Sequence, residues 1–350
     1  MNKNFNWDRA STQAYTKDYG NKTFTLLQND SNPNSLNILG GANFIMNSEC
    51  ATLTLQNDSD DIPIYWPEFN RNNDGTMTDS GKGMQVTLYS GTLEANYTSK
   101  NRNHTVIYLG CSENAIFNLG NSGNLNIINP GTVFMFIDYV ASNELKPPKL
   151  TMSGNSKFKI TPNLNITPTQ GTQQNNPAYI FLSSYIYLYE SSELTLKSHG
   201  LFLGDGILDY CNINIRGNSK VTLVNDGIVP KDNIDRKNTK FNLGSGSPLL
   251  KLSSFTGTNF PLDLDNVEYP EGLFNFITTE GENKGKLVID VSSSNANTFY
   301  INKLFKKKLI AIDNTVIEET QKFTITINEF KTTYNSDEQI VYNFITISIT

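Results

Sequence analysis

Leu150-Thr151-Met152-Ser153-Gly154-Asn155-Ser156-Lys157-Phe158-Lys159-Ile160 recurs further along the chain as Ile213-Asn214-Ile215-Arg216-Gly217-Asn218-Ser219-Lys220-Val221-Thr222-Leu223. Between the two lies Ile186-Tyr187-Leu188-Tyr189-Glu190-Ser191-Ser192-Glu193-Leu194-Thr195-Leu196, and a looser copy runs from Ile107 to Phe117. Each copy holds two apolar residues spaced by one, a polar corner, and two more apolar residues spaced by one. Period-two alternation is the strand signal. Glycine and asparagine tolerate the left-handed backbone of a sharp corner. One strand–corner–strand unit cannot bury its apolar side alone, whereas stacked units bury a continuous column. Asparagine side chains can hydrogen-bond from rung to rung along such a stack. The copies begin at residues 150, 186 and 213, which implies coils of about 20–30 residues with variable loops. Such a stack requires Met152, Leu188 and Ile215 to share one dry interior.

The same alternation fills the rest of the 350 residues, as in Val86-Thr87-Leu88 and Leu125-Asn126-Ile127. Helix is expected only as a turn near Asp8–Tyr15 and a short piece near Lys303–Lys308. Asp74-Gly75, Asp205-Gly206 and Asp226-Gly227 do not sit centrally between long strands, which disfavours a hairpin-built β-sandwich. The fold expected is all-β: a right-handed parallel β-helix (β-solenoid) with a C-terminal antiparallel β-hairpin region. Residues 1–35 form an N-terminal cap, 36–290 the β-helix and 291–350 a capping or assembly region. Lys322–Phe330 and Gln339–Ile349 read as the hairpin. Its Ile/Phe stripe makes residues 322–349 a homo-oligomer site, with Phe344 and Ile347 as the positions to test.

Charge and composition exclude several classes. Twenty-eight basic residues face 34 acidic ones, for a net charge of -6, which argues against nucleic-acid binding. No window reaches 18 apolar residues, so no membrane-spanning helix is expected. The N-terminus lacks an apolar h-region, so no signal peptide is read in this sequence. Cys50, Cys111 and Cys211 fit no metal or redox spacing, and two histidines do not make a histidine-rich metal site. No cofactor is expected.

The segments at 150–160 and 213–223 resemble rungs of the pectin-lyase-like right-handed β-helix superfamily. They are most similar to autotransporter passenger domains of adhesins and toxins; phage tailspikes share the architecture. The resemblance covers roughly residues 40–290 and implies a rigid rod displayed at a surface.

Candidate sites follow from residue type and spacing. Polysaccharide-cleaving enzymes work with paired carboxylates. Asp205 and Asp209, four residues apart on a strand, would be about 13 Å apart, too far to act alone; His199 and Arg216 lie nearby in sequence. These four are weak catalytic candidates. Asn70, Asn72 and Asp74 have the alternation of a calcium loop but lack its terminal glutamate, so no metal is assigned; Asp58–Asp61 is a similar polar turn. Tyr179, Phe181, Tyr185, Tyr187 and Tyr189 read as one face of a single strand, opposite Ile180, Leu182, Ile186 and Leu188. Exposed aromatic rows stack on sugar rings or pack against a partner. Tyr65 and Trp66 lie in a second aromatic loop. Lys303 and Lys306–Lys308 read as a solvated basic run.

The function expected is a non-enzymatic extracellular or surface-displayed β-helix acting in adhesion, structural assembly, or binding of a surface glycan or protein receptor. The alternative is a tailspike-like virion component or secreted enzyme, a polysaccharide hydrolase or lyase.

Overall fold

A computed structural model describes the chain except residues 1–2, 29, 60–61, 69, 72–76, 79–82, 99–104, 113, 138–146, 163–177, 205–209, 233 and 335–337, and the side chains of 70–71, 77–78, 331–334 and 338–340. Strand accounts for 52% of residues and helix for 6%, so the protein is all-β, built on parallel sheets.

One repeat explains the rest. Ser184–Leu188 runs along a first sheet region and turns at Glu190; Glu193–Lys197 then runs along a second region. Gly200–Leu203 lies in a separate six-stranded sheet, and Cys211–Gly217 returns beside Ser184–Leu188. The pairings are parallel: Leu188 lies between Met152 and Ile215, and Leu194 between Phe158 and Val221. Three columns of strands result. The first extends from Gln13–Thr16 to Ile310–Ile312, the second from Lys22–Leu26 to Lys286–Val291, and the third from Ile64–Trp66 to Ile228–Pro230.

Met152, Leu188 and Ile215 are fully buried in one continuous cluster, as the stack requires. The copies at 150, 186 and 213 align register for register. The looser copy does not. Leu109 belongs to the third column and Phe117 to the first, so that segment spans a different corner. The true equivalents of Leu150 and Phe158 are Phe117 and Leu125.

The corners stack as well. Asn121, Gly154, Glu190 and Gly217 all have positive φ. At each step, the amide after the corner donates to the carbonyl of the corner residue one rung before: Asn155 to Asn121, Ser191 to Gly154, Asn218 to Glu190. A Cβ on Gly217 would come within 2.9 Å of the Glu190 backbone. Glycine there therefore answers both a left-handed backbone and a close approach. The expected asparagine stack is present too: Asn242 Nδ2 donates to Asn214 Oδ1 (3.1 Å), and Asn275 Nδ2 to Asn242 Oδ1 (2.8 Å).

Both ends are covered. Phe5 packs edge-on against Tyr15, Tyr19 and Phe24. At the other end the helix Thr298–Lys306 buries Ile301, Leu304 and Phe305. It starts earlier than the expected Lys303–Lys308 because the Asn297 side chain accepts from Tyr300 N and caps it. No helix among the described residues is long and apolar enough to cross a membrane.

The hairpin forms as expected, Phe323–Tyr334 pairing with Glu338–Ile349, and the latter docks antiparallel on Lys286–Val291. Ile347 is fully buried, so it belongs to the core and not to an exposed stripe. Outward apolar positions of the hairpin include Ile327 and Phe330, 44% and 60% exposed. They lie on Phe323–Tyr334, which has one strand neighbour among the described residues.

Candidate binding site

The residues Tyr179 to Tyr189 do not form one strand. A corner at Ser183 and Ser184, the latter with φ 75°, divides them. Tyr179–Leu182 belongs to the third column and Ser184–Leu188 to the first. The in/out alternation holds on both: Ile180, Leu182, Ile186 and Leu188 are buried, and the aromatic residues face outward, half-buried.

The two aromatic groups differ physically. On the third column Phe181 is part of a ladder with Tyr65, Tyr108, Phe134 and Phe202. Successive rings are near-parallel with centroids 4.8–5.0 Å apart, and Tyr179 meets Phe202 edge-on. Ring faces in this ladder cover one another, so it braces the column. Trp66 is fully buried, its indole N–H donating to the Leu36 carbonyl (3.0 Å); it is core, not an exposed loop residue.

On the first column Tyr185, Tyr187 and Tyr189 project from alternate positions, with centroids 6.2 and 6.4 Å apart; the last two rings lie within 2° of parallel. At that spacing they do not cover each other. Residues on one neighbouring rung back them. Tyr210 packs 4.9 Å from Tyr185, and the Arg216 guanidinium lies 5.9 Å from the Tyr189 centroid. The other neighbouring rung carries shorter or flexible side chains, Lys149 and Thr151, in register with Tyr185 and Tyr187. A trough of about 240 Å³ results, lined by Pro147, Lys149, Thr151 and the three tyrosines. That volume lies below the range of pockets that engulf a whole ligand. It suits one sugar-sized ring laid against the row. Burial among its neighbours raises the Tyr187 phenol above its ordinary pKa.

The chain matches no family model, no curated protein and no solved structure.

The remaining candidates are dispersed. Arg216 is clamped by Glu280, Nε to Oε2 at 2.7 Å and Nη2 to Oε1 at 2.6 Å. The paired hydrogen bonds raise the guanidinium pKa and lower that of the carboxyl, each holding the other charged. His199 Nδ1 accepts from the Ala178 amide (3.0 Å), and its ring packs against Phe255. Both side chains thus have structural partners. Asp205 and Asp209 lie outside the described residues, as do Asn72 and Asp74 and the Asn70 side chain. Asp58 accepts from Gln56 and Thr98. Lys303 and Lys308 pair with Asp265 and Glu271. Cys111 and Cys211 are buried and Cys50 is exposed, with no disulfide among them. Among the described residues no cluster of His, Cys, Asp or Glu suits a metal ion.

Lys149, Thr151 and Tyr210 escaped sequence reasoning. The first two occupy the outward positions of the repeat, so aligning those positions across copies finds them. Tyr210 lies outside the repeated segment and has no such signal.

Proposed function

We propose that this protein is a surface-displayed or extracellular right-handed parallel β-helix that binds glycan without cleaving it. The observation that carries this is the Tyr185–Tyr187–Tyr189 row, backed on one side and open to a trough on the other. Sugar rings stack their C–H faces on such rings, while Thr151, Lys149 and the phenols offer hydrogen bonds to hydroxyls. The coiled fold is supported by three register-matched columns around one core, and the right-handed sense by the strong chirality preference of parallel crossovers. A rigid rod with its ligand row midway along suits attachment.

Tyr187→Ala tests the site. The side chain lies outside the core, so the thermal midpoint should hold while affinity for a glycan selected by array screening drops about tenfold, the loss of one stacking contact. Unchanged affinity would overturn the assignment. Depolymerisation of that glycan by the wild type would favour the hydrolase or lyase alternative.

Self-association belongs to the same proposal, through the outer strand Phe323–Tyr334. It is long, lacks proline and shows Ile327 and Phe330, features that invite edge pairing. Ile327→Lys should lower the native mass to that of a monomer in sedimentation; a monomeric wild type sinks this part.

A further inference from the structure

The second column has an outward face of a different character. Lys157, Lys159, Lys197, Lys220, Lys251 and Lys286 project from five consecutive strands, between buried residues such as Phe158, Leu196 and Leu250. The only acidic residues on those strands are Glu193 and Asp290. Glu193 is taken by Lys157 (3.6 Å) and Lys220 (3.2 Å), and Asp290 is buried. Lys159, Lys197, Lys251 and Lys286 form no ion pair among the described residues. Lys159 and Lys251 share one register line, three strands apart, or about 14 Å at the usual strand spacing. The chain as a whole is acidic, so this positive row is local.

The row runs into a groove of about 610 Å³ between this face and the C-terminal hairpin. Lys251, Val288, Phe330, Tyr342 and Phe344 line it, with one carboxylate, Glu329, also in the wall. Tyr342 and Phe344 lie near-parallel with centroids 6.0 Å apart, and the Lys251 ammonium sits 4.6 Å from the Phe344 centroid. Aromatic walls beside a lysine that has no direct ion pair among the described residues suit a sugar ring carrying an anionic substituent.

We infer that the lysine face and the hairpin groove together bind a polyanionic polysaccharide, the groove holding one ring and the lysines the anionic groups along the chain. A bilayer is disfavoured because the aromatic residues line a concavity. This site is on a different face from the tyrosine row and does not depend on it.

The test measures binding of heparin, polygalacturonate and neutral dextran, with phosphatidylserine vesicles and single-stranded DNA alongside. Heparin or polygalacturonate should bind and dextran should not, with affinity falling as salt rises. Which polyanion binds tells sulfate from carboxylate as the recognised group. Lys159→Glu and Lys251→Glu should each weaken binding by about fivefold. Phe344→Ala should weaken it further at high salt, and Tyr187→Ala should leave it unchanged. All four positions lie outside the core, so an unchanged circular dichroism spectrum should accompany each variant. Failure of both polyanions to bind at low salt overturns the inference, as does indifference to the lysine reversals. Tighter binding of vesicles or DNA, insensitive to Phe344→Ala, assigns the face to those partners instead and equally overturns it.

Discussion

Gly123→Ala should cost on the order of 4 kcal/mol or more, the range reserved for severe steric or core damage. Gly123 sits at a corner, opposite Gly91 on the preceding rung. A Cβ there would press into the Leu88 carbonyl oxygen and lie 2.6 Å from its carbon and 2.8 Å from its Cβ. The obstacle is largely backbone, already committed to the stack, so the two rungs must part. Urea denaturation followed by circular dichroism reads the effect as a large drop in midpoint. Gly227→Ala is the control. A Cβ at Gly227 meets nothing within 4 Å, so that change should be neutral or stabilising by about 0.4–1 kcal/mol, through a less flexible unfolded chain. Equal midpoints for the two variants would refute the close-stacked corner.

Asp290→Asn should raise stability at pH 7.5 by about 2–3 kcal/mol and leave it unchanged at pH 4. Asp290 is fully buried where the hairpin docks, opposite Phe344. Its Oδ2 accepts from the Ser254 amide (3.0 Å), while Oδ1 has no hydrogen-bond partner. Burial pushes its pKa up from 3.8 to about 6; the Ser254 amide, Lys251 and the Asn343 amide only partly offset this. The sign follows from proton linkage. Between those values the folded state holds the proton more tightly than the unfolded chain does. The contribution of Asp290 to wild-type stability is therefore most favourable below about pH 4, falls as pH rises to about 6, and levels off above. Asparagine keeps the acceptor for Ser254 and carries no charge, so the variant should lack this descent. Parallel pH–stability curves for the two proteins would show that Asp290 is not the group responsible.

Much of the fold was legible because corner and alternation repeat together at 150, 186 and 213. The same pattern misled at 107–117, since any strand–corner–strand reads alike whichever columns it joins. The break within Tyr179–Tyr189 was hidden because Ser184 takes its left-handed backbone without glycine or asparagine to mark it. Trp66 read as a loop aromatic because its neighbours Pro67 and Glu68 suggest a turn, yet Leu36 and its own indole hydrogen bond seat it inside. The third-column ladder was invisible for another reason: Tyr108, Phe134 and Phe202 are adjacent only after stacking. The lysine face was missed in the same way, being scattered one or two residues per strand. Of the tyrosine site, the outward row was readable, and the trough beside it needed the register between rungs.

Ser184 and Cys211 occupy the same register position on neighbouring rungs. From Ser184 to Cys211 the chain therefore returns to the same register position one rung further on. Length along the axis is in consequence quantised: gaining or losing one such rung changes the span by about 4.8 Å, while loop insertions of any size leave it untouched. Relatives of this chain would differ in reach by whole steps, keeping every surviving joint intact.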